Sequence, residues 1–512
     1  MNDLPIDAVL PELRAAFERT DTVILEAPPG AGKTTRVPPA LLDAPWLGGR
    51  RIRMLEPRRL ATRAAATFLA AQQGEKPGQT VGWRMRLDSR VSNATRIEVL
   101  TEGILIRLLQ ADPALSDTDL LIFDEFHERS LDADLGLALA LQARELFREE
   151  APLKILIMSA TLDGLPLADL LPRAELIRSE GRSHPVEIRY GAAWRPDEDI
   201  VPRMTAALRR ALTETDGSLL AFLPGQAEIR RVAEAVEPLL AAHPATRLAP
   251  LHGELPPEEQ RRAIAPPESG ERKLVLATDI AETSLTIEGV TVVVDSGLAR
   301  RPCFDPATGM TRLDTRRVSR ASATQRAGRA GRLAPGICYR LWSEDQQARL
   351  LAHDEPEIRQ ADLAPLALQL LHWGVTDPAE LAWLDPPPQA AWEQALDLLA
   401  NLGAVRPGEH GLRLTAHGEA MAGLPVHPRL AHLLLTGRRL GLLPLAAELA
   451  ALLGERDPFR QDSADLESRI AQLRDGLGGP ARRLREQARR LARLADGPDT
   501  EPVADPADSR WP

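Results

Sequence analysis

EAPPGAGKTT, residues 26–35, is the stretch from which the fold can be read. It ends in Gly32-Lys33-Thr34, the close of a phosphate-binding loop. Counting back along G-x-x-x-x-G-K-[ST] puts Ala27 where the first glycine belongs. A phosphate cradle needs inward-aimed backbone N–H groups, a helix N-terminus behind them, a lysine and a hydroxyl for Mg2+. Gly30, Ala31 and Gly32 form the bend, Lys33 has the reach for β- and γ-phosphates, Thr34 would coordinate the metal, and Thr35 follows. The apolar run Val23-Ile24-Leu25 supplies the strand such a loop follows. Ala27 fits the tight start if its φ is one that alanine can reach. In isolation the stretch also reads as a Gly/Pro turn before a helix.

Working outward, the first 180 residues alternate short apolar runs with helical patterns. The strand-like runs are 22–26, 51–56, 96–100, 119–124 and 153–159; helices are expected at 101–109 and 133–146. This alternation predicts a parallel sheet covered on both faces. After a polar connection through 181–188 it restarts, with runs at 218–223, 247–251, 273–277, 290–295 and 336–341. A second α/β lobe is therefore expected. Strand signals fade from about 345. DPPP (385–388) is a hard break before a helix at 389–402, and short apolar helices are expected from 411 onward.

Composition narrows the classes. The chain has 512 residues, 44% apolar and 27% charged, enough for several domains with ample core. The longest apolar candidate, 135–141, is too short to span a membrane. The start, MNDLPIDAVL, lacks the basic and apolar regions of a signal peptide. Two cysteines, Cys303 and Cys338, exclude a disulfide framework and point to a reducing cytoplasm. The net charge of −10 argues mildly against nucleic acid, but local fields differ. Residues 300–340 hold ten arginines against two acids, and 50–63 hold six more arginines. Only four basic residues are lysine, and one is Lys33, where a slim point charge suits a site of backbone amides better than a planar guanidinium.

Two further stretches carry chemistry. In LLIFDEFHE (120–128) an apolar strand ends in Asp124 and Glu125. The carboxyl end of a buried strand is where open α/β sheets place ligand chemistry. Asp124 would hold Mg2+ and Glu125 would orient or deprotonate a water. The bland alternative is an exposed acidic strand end. In QRAGRAGR (325–332), Arg329 and Arg332 stand three apart and would share a face of a helix. Aimed at a γ-phosphate they would stabilise transition-state charge. Otherwise they belong to a solvated basic helix.

The ordered set GAGKTT, EPRRLAT (56–62), TEGIL (101–105), DEFH, SAT (159–161), ATDIAETSLTI (277–287) and QRAGRAGR resembles the DEAH-box helicases of superfamily 2, most closely their bacterial HrpB type. The resemblance implies an α/β fold with two tandem RecA-like parallel-sheet domains, 1–180 and 181–344. It further implies a winged-helix-like domain at 345–410, a ratchet-like helical bundle at 411–498, and a tail or linker at 499–512. LTAHGEAMAGLPVHPRLAHLLL (414–435) carries the ratchet likeness. Related chains often continue past the bundle, so this domain count is a lower limit.

By the same resemblance, ATP and Mg2+ are the cofactors, with Lys33, Thr34, Asp124 and Glu125 in the roles above. Gln325, Arg329 and Arg332 would complete the γ-phosphate site. His127, Ser159, Thr161, Asp279 and Thr283 would couple hydrolysis to lobe movement. Arg58, Arg59 and Thr101 would touch the nucleic-acid backbone. CFDPATGMTRL (303–313) is similar to a strand-separating hairpin with its turn at 305–309. The expected partner is RNA, single-stranded or duplex with an overhang, with movement 3′ to 5′ and no membrane. Two departures stand out: Phe126 replaces the alanine of the DEAH spelling, and Leu298 stands where an aromatic base-stacking residue is common. The latter weakens adenine selectivity.

Two other readings stay open: a DNA-directed translocase, and a nucleic-acid-binding scaffold with a lapsed ATPase. Intact Lys33, Glu125 and Arg332 speak against the scaffold. ARRLREQARRLARL (481–494) has an apolar stripe with arginines on its other faces. It reads either as a solvated bundle helix or as a nucleic-acid or partner surface.

Overall fold

The computed structural model describes residues 4–181, 184–283, 287–332, 334–409, 411–454, 459 and 465–497. The expected tail at 499–512 and residues 284–286 of the 277–287 motif lie outside them. The chain divides into two compact units, 1–361 and 362–512.

The first unit holds two sheets. In the first lobe β1 (Thr22–Glu26), β2 (Arg51–Glu56), β3 (Val81–Met85), β4 (Asp88–Arg90), β5 (Ile97–Thr101), β6 (Thr118–Phe123), β7 (Lys154–Ser159) and β8 (Glu175–Arg178) order as β4-β3-β5-β2-β6-β7-β1-β8. All pairings are parallel except β3–β4. The central strands read as continuous apolar runs because helices cover both faces; every residue of β6 is buried. In the second lobe β9 (Val186–Tyr190), β10 (Ser218–Phe222), β11 (Thr246–Leu251), β12 (Arg272–Ala277), β13 (Val290–Asp295) and β16 (Gly336–Arg340) order as β11-β12-β10-β13-β16-β9, all parallel. Between β13 and β16, β14 (Leu298–Asp305) and β15 (Met310–Arg317) form an antiparallel hairpin. These are RecA-like parallel-sheet lobes. The hairpin turns where expected but is longer than 303–313.

In the first unit four described strands escaped the sequence reading. β4 and β8 are short and polar or half-polar, β3 is a short run broken by Gly82 and Arg84, and β9 begins inside the stretch 181–188 and runs on to Tyr190, pairing along its whole length with β16. The unit boundary also falls later than 345. Leu351 and Ala352 carbonyls accept from Arg320 and Ala321, and Gln360 accepts from Phe304 N–H, so this segment is tied to the second lobe.

The second unit contains helices Ala364–Trp373 and Gln389–Asn401 and a hairpin of β17 (Val405–Gly408) and β18 (Gly411–Leu414). Helices Ala416–Ala422, Pro428–Arg439, Leu443–Leu453, Leu466–Asp475 and Gly479–Ala495 follow. The boundary expected at 410/411 cuts through this hairpin, and 411–414 is strand rather than helix. The reason is the period-two pattern Gly411-Leu412-Arg413-Leu414, which faces Val405 to Gly408.

Candidate nucleotide site between the lobes

The phosphate loop leaves β1 at its carboxyl end. Ala27 is fully buried, donates its N–H to Ser159 O at 3.0 Å and is not among the left-handed residues, so no glycine is needed there. The left-handed positions are Gly30 (φ +84°) and Gly32 (φ +98°). A Cβ on Gly32 would meet Leu4 Cδ1 at 2.7 Å, so this position excludes a side chain twice over. Helix Lys33–Leu41 starts immediately after, presenting its N-terminus to the loop. Lys33 is buried and donates to Ala27 O at 2.7 Å. Thr35 Oγ1 donates to Gly32 O at 3.3 Å.

Thr34 Oγ1 donates to Asp124 Oδ2 at 2.5 Å, so the two expected metal ligands meet across 90 residues of sequence. Asp124 sits just past the end of β6; its Oδ1 accepts from Glu125 N at 2.9 Å. Burial, then the adjacent Glu125 charge, raise the Asp124 carboxyl to about 6. Glu125 is held in the left-handed region at φ +49°, a strained conformation for a non-glycine. Burial pushes its carboxyl upward, but Lys33, His127, Arg329 and Arg332 outweigh burial and hold it below the usual range. Its Oε2 has no hydrogen-bond partner among the described residues. A hydroxyl and a carboxylate in contact, with an unsatisfied carboxylate oxygen alongside, form a hard-oxygen donor set. It fits Mg2+ in the few-ligand manner used with phosphates.

Behind Asp124 lies Glu56, fully buried at the end of β2, its carboxyl raised well above the usual range by burial and then by Asp124 and Glu125. Phe126 is buried and meets Phe123 edge-on at 6.0 Å, so the departure from the DEAH spelling is a core-packing residue. His127 Nδ1 accepts from Ala160 N at 3.3 Å and lies 3.5 Å from Ser159 Oγ. Its Nε2 has no hydrogen-bond partner among the described residues. Ser159 Oγ donates to Thr161 O, closing the turn after β7.

The second lobe supplies the arginines, but not as one helical face. Helix Arg320–Gly328 ends before them, and Arg329 and Arg332 lie in the Gly-rich turn that follows. The two side chains diverge. Arg329 is buried and donates to the Glu282 and Thr283 carbonyls; burial, then Arg332, hold it well below the usual arginine range. Arg332 instead covers the phosphate loop: a Cβ built on Gly30 would lie 3.5 Å from Arg332 Cζ. Burial lowers Arg332 to about 10, with Glu125 opposing. Gln325 is half-buried on the helix.

Sequence reasoning passed over Arg326, although it quoted the residue within the motif. Arg326 is buried, with Nε donating to Glu282 Oε2 at 2.8 Å and Nη1 to Asp295 Oδ1 at 3.0 Å. It fixes the turn's orientation from inside the lobe. Glu128 was missed as well. Its Oε1 accepts from Thr283 Oγ1 of the second lobe and its Oε2 from Arg58 Nη2 at 3.3 Å. Arg58 Nη1 donates to Asp279 O at 2.8 Å. Arg58, expected at nucleic-acid phosphates, is thus engaged between the lobes, because a half-buried guanidinium takes the carboxylate and carbonyl nearest to it. Asp279 Oδ2 accepts from Arg301 at 3.1 Å. Arg59 is exposed, and Thr101 is half-buried ahead of helix Glu102–Ala111. Leu298 is buried, so no base could stack on it.

Comparison with known proteins agrees with this architecture. Residues 8–170 match the DEAD/DEAH box helicase model and residues 203–334 the helicase conserved C-terminal domain. The chain is 50% identical over 468 residues to the ATP-dependent RNA helicase HrpB of Escherichia coli, covering 91% of this chain and 56% of that protein. To the E. coli ATP-dependent RNA helicase HrpA it is 35% identical over 467 residues, covering 89% and 35%. A crystal structure of the E. coli DEAH/RHA helicase HrpB superposes with a TM-score of 0.87 at 47% identity, covering 96% of this chain and 60% of that one. The chain spans about half the length, or less, of these curated relatives. With the paired RecA-like lobes, the phosphate loop, the strand-end acids and the arginine turn in place, the chain belongs to the DEAD/DEAH-box helicase family.

Proposed function

We propose that this chain is an ATP-dependent RNA helicase motor, in which NTP hydrolysis between the lobes drives translocation on single-stranded RNA, 3′ to 5′, and duplex unwinding. The observation that carries it is Arg332 of the second lobe lying over Gly30 of the first lobe's phosphate loop. A γ-phosphate bound there would be sensed by both lobes at once.

Lys33 and the backbone amides of 30–35 hold the phosphates. Thr34 and Asp124 hold Mg2+, which when bound neutralises phosphate charge and orients the γ-phosphate. Glu125, kept ionised by Lys33 and the arginines, accepts a proton from the attacking water at Oε2, which has no hydrogen-bond partner among the described residues. Arg332 stabilises charge on the transferred group, while Arg329 braces the turn and Gln325 lines the approach. His127, Ser159 and Thr161 link the acids to the turn after β7. Asp279, Thr283 and Arg58 join the lobes through Glu128 and the backbone. Arg59 and Thr101 remain the first-lobe contacts to nucleic acid, through phosphates and without sequence information. Both cysteines are free, which suits a reducing cytoplasm, and among the described residues no helix is long and apolar enough to cross a membrane.

The test is ATP hydrolysis with and without single-stranded RNA or DNA. RNA should stimulate the wild type. Glu125→Gln should bind nucleotide and lose hydrolysis by on the order of 10²–10⁴-fold, the usual size of a general-base contribution. Wild-type rates in Glu125→Gln would sink the assignment, and stimulation by DNA alone would favour a DNA translocase.

A further inference from the structure

The helix Gly479–Ala495 of the second unit carries six arginines and one glutamate in a chain whose net charge is −10. Its apolar residues Ala481, Leu484, Ala488, Leu491 and Ala495 are all buried, so the helix is fixed on the unit by that face. Opposite it, Arg482, Arg489 and Arg493 are exposed. They stand at i, i+7 and i+11. At about 100° per residue they fall within about 40° of one line, spaced by about 10 Å and about 6 Å along the axis.

Among the described residues nothing compensates the charge on this line. Arg482, Arg489 and Arg493 have no hydrogen bond or ion pair among the described residues. The one acid of the helix, Glu486, is taken by Arg490 at 2.6 Å, and Arg485 is spent on the Leu473 and Gly476 carbonyls. Solvated helices elsewhere in the chain differ. Arg210 pairs with Glu214 at 2.7 Å and Arg230 with Glu234 at 3.9 Å, each one turn away. A row of like charges repels itself by a few tenths of a kcal/mol per neighbouring pair, so a solvated face normally intersperses acids.

We infer that Arg482, Arg489 and Arg493 form a phosphate track for single-stranded RNA on the second unit. The inference rests on the RNA-dependent reading above and adds a binding site to it. A polyphosphate repeats its charge along a line as this stripe does. The helix has no aromatic residue, so contact is with the backbone and is indifferent to sequence. A bilayer is disfavoured as the occupant because the apolar face is already buried within the unit.

The experiment uses the full chain and a fluorescent single-stranded RNA oligonucleotide, with affinity read by anisotropy across a salt series. The triple variant R482E/R489E/R493E should bind about tenfold more weakly or worse. Its slope of log K against log salt should be shallower by about 2, since each single-strand phosphate contact contributes about 0.7. The triple Gln variant should lose the same slope, and the triple Lys variant should keep it. Hydrolysis without RNA should match wild type in all three. Wild-type affinity and slope in both the Glu and Gln variants, with RNA still binding wild type, would overturn the track alone. A wild-type chain that neither binds nor responds to RNA would remove the proposed function along with it.

Discussion

At the scale of single residues, burial decides what a motif's side chains can do. Glu102, inside the 101–105 motif, is buried, and its Oε2 accepts from Ser130 Oγ at 2.5 Å. Burial is the main cause that raises its carboxyl from 4.5 to about 8. The folded chain therefore keeps this proton where the unfolded chain has released it. Its contribution to stability is complete below about 4.5 and is lost as pH rises toward 8. The slope is at most about 1.4 kcal/mol per pH unit. Glu102→Gln, which mimics the protonated form, should flatten the fall in denaturation midpoint between those limits and be as stable as wild type or more so at pH 8. An unchanged pH profile would show that Glu102 is ionised in the fold. Phe126 makes the same point without charge: its sequence context left its direction open, and packing against Phe123 settles it.

At the scale of elements, what matters is where a helix stops. The spacing of Arg329 and Arg332 predicts a shared helical face, but helix Arg320–Gly328 ends before either of them. The glycines at 328 and 331 favour a turn, and on a turn the two guanidinium groups part company. Arg332 then faces the phosphate loop, while Arg329 donates to the Glu282 and Thr283 carbonyls. Arg332→Ala should accordingly lower kcat by about 10³–10⁵-fold, as for arginines that stabilise a transferring phosphoryl group, with nucleotide affinity changed far less. Arg329→Ala should lower stability and, by removing one of the charges that keep Glu125 ionised, cost activity by less than Arg332→Ala does. Equal kinetic losses in both variants, with equal melting temperatures, would contradict this division. The hairpin β17–β18 was missed for a related reason: its strands are four residues each, too short for period-two alternation to stand out beside the surrounding helices.

At the scale of the whole molecule, Glu128 joins the nucleotide acids to the second lobe, three residues from Glu125 and bonded to Thr283. Any shift of the 124–128 turn on hydrolysis would pull on this contact. Glu128→Ala should leave nucleotide affinity near wild type and lower the RNA-stimulated rate by roughly 5–150-fold, the range of ordinary coupling energies. Full stimulation in that variant would mean that the lobes communicate elsewhere.

The two-lobe plan, the phosphate loop, the strand-end acids and the arginine motif were legible in the sequence, because alternating buried strands and phosphate chemistry both impose fixed residue types at fixed spacings. Ala27 could be accepted in the sequence and was confirmed by its ordinary φ. Tertiary structure alone decided that Arg58 and Glu128 bridge the lobes, that Arg332 lies over the loop while Arg329 donates to the Glu282 and Thr283 carbonyls, and which arginines of the last described helix have no partner among the described residues. Those outcomes depend on acids and carbonyls distant in sequence competing for the same guanidinium groups, and local pattern carries no record of that competition.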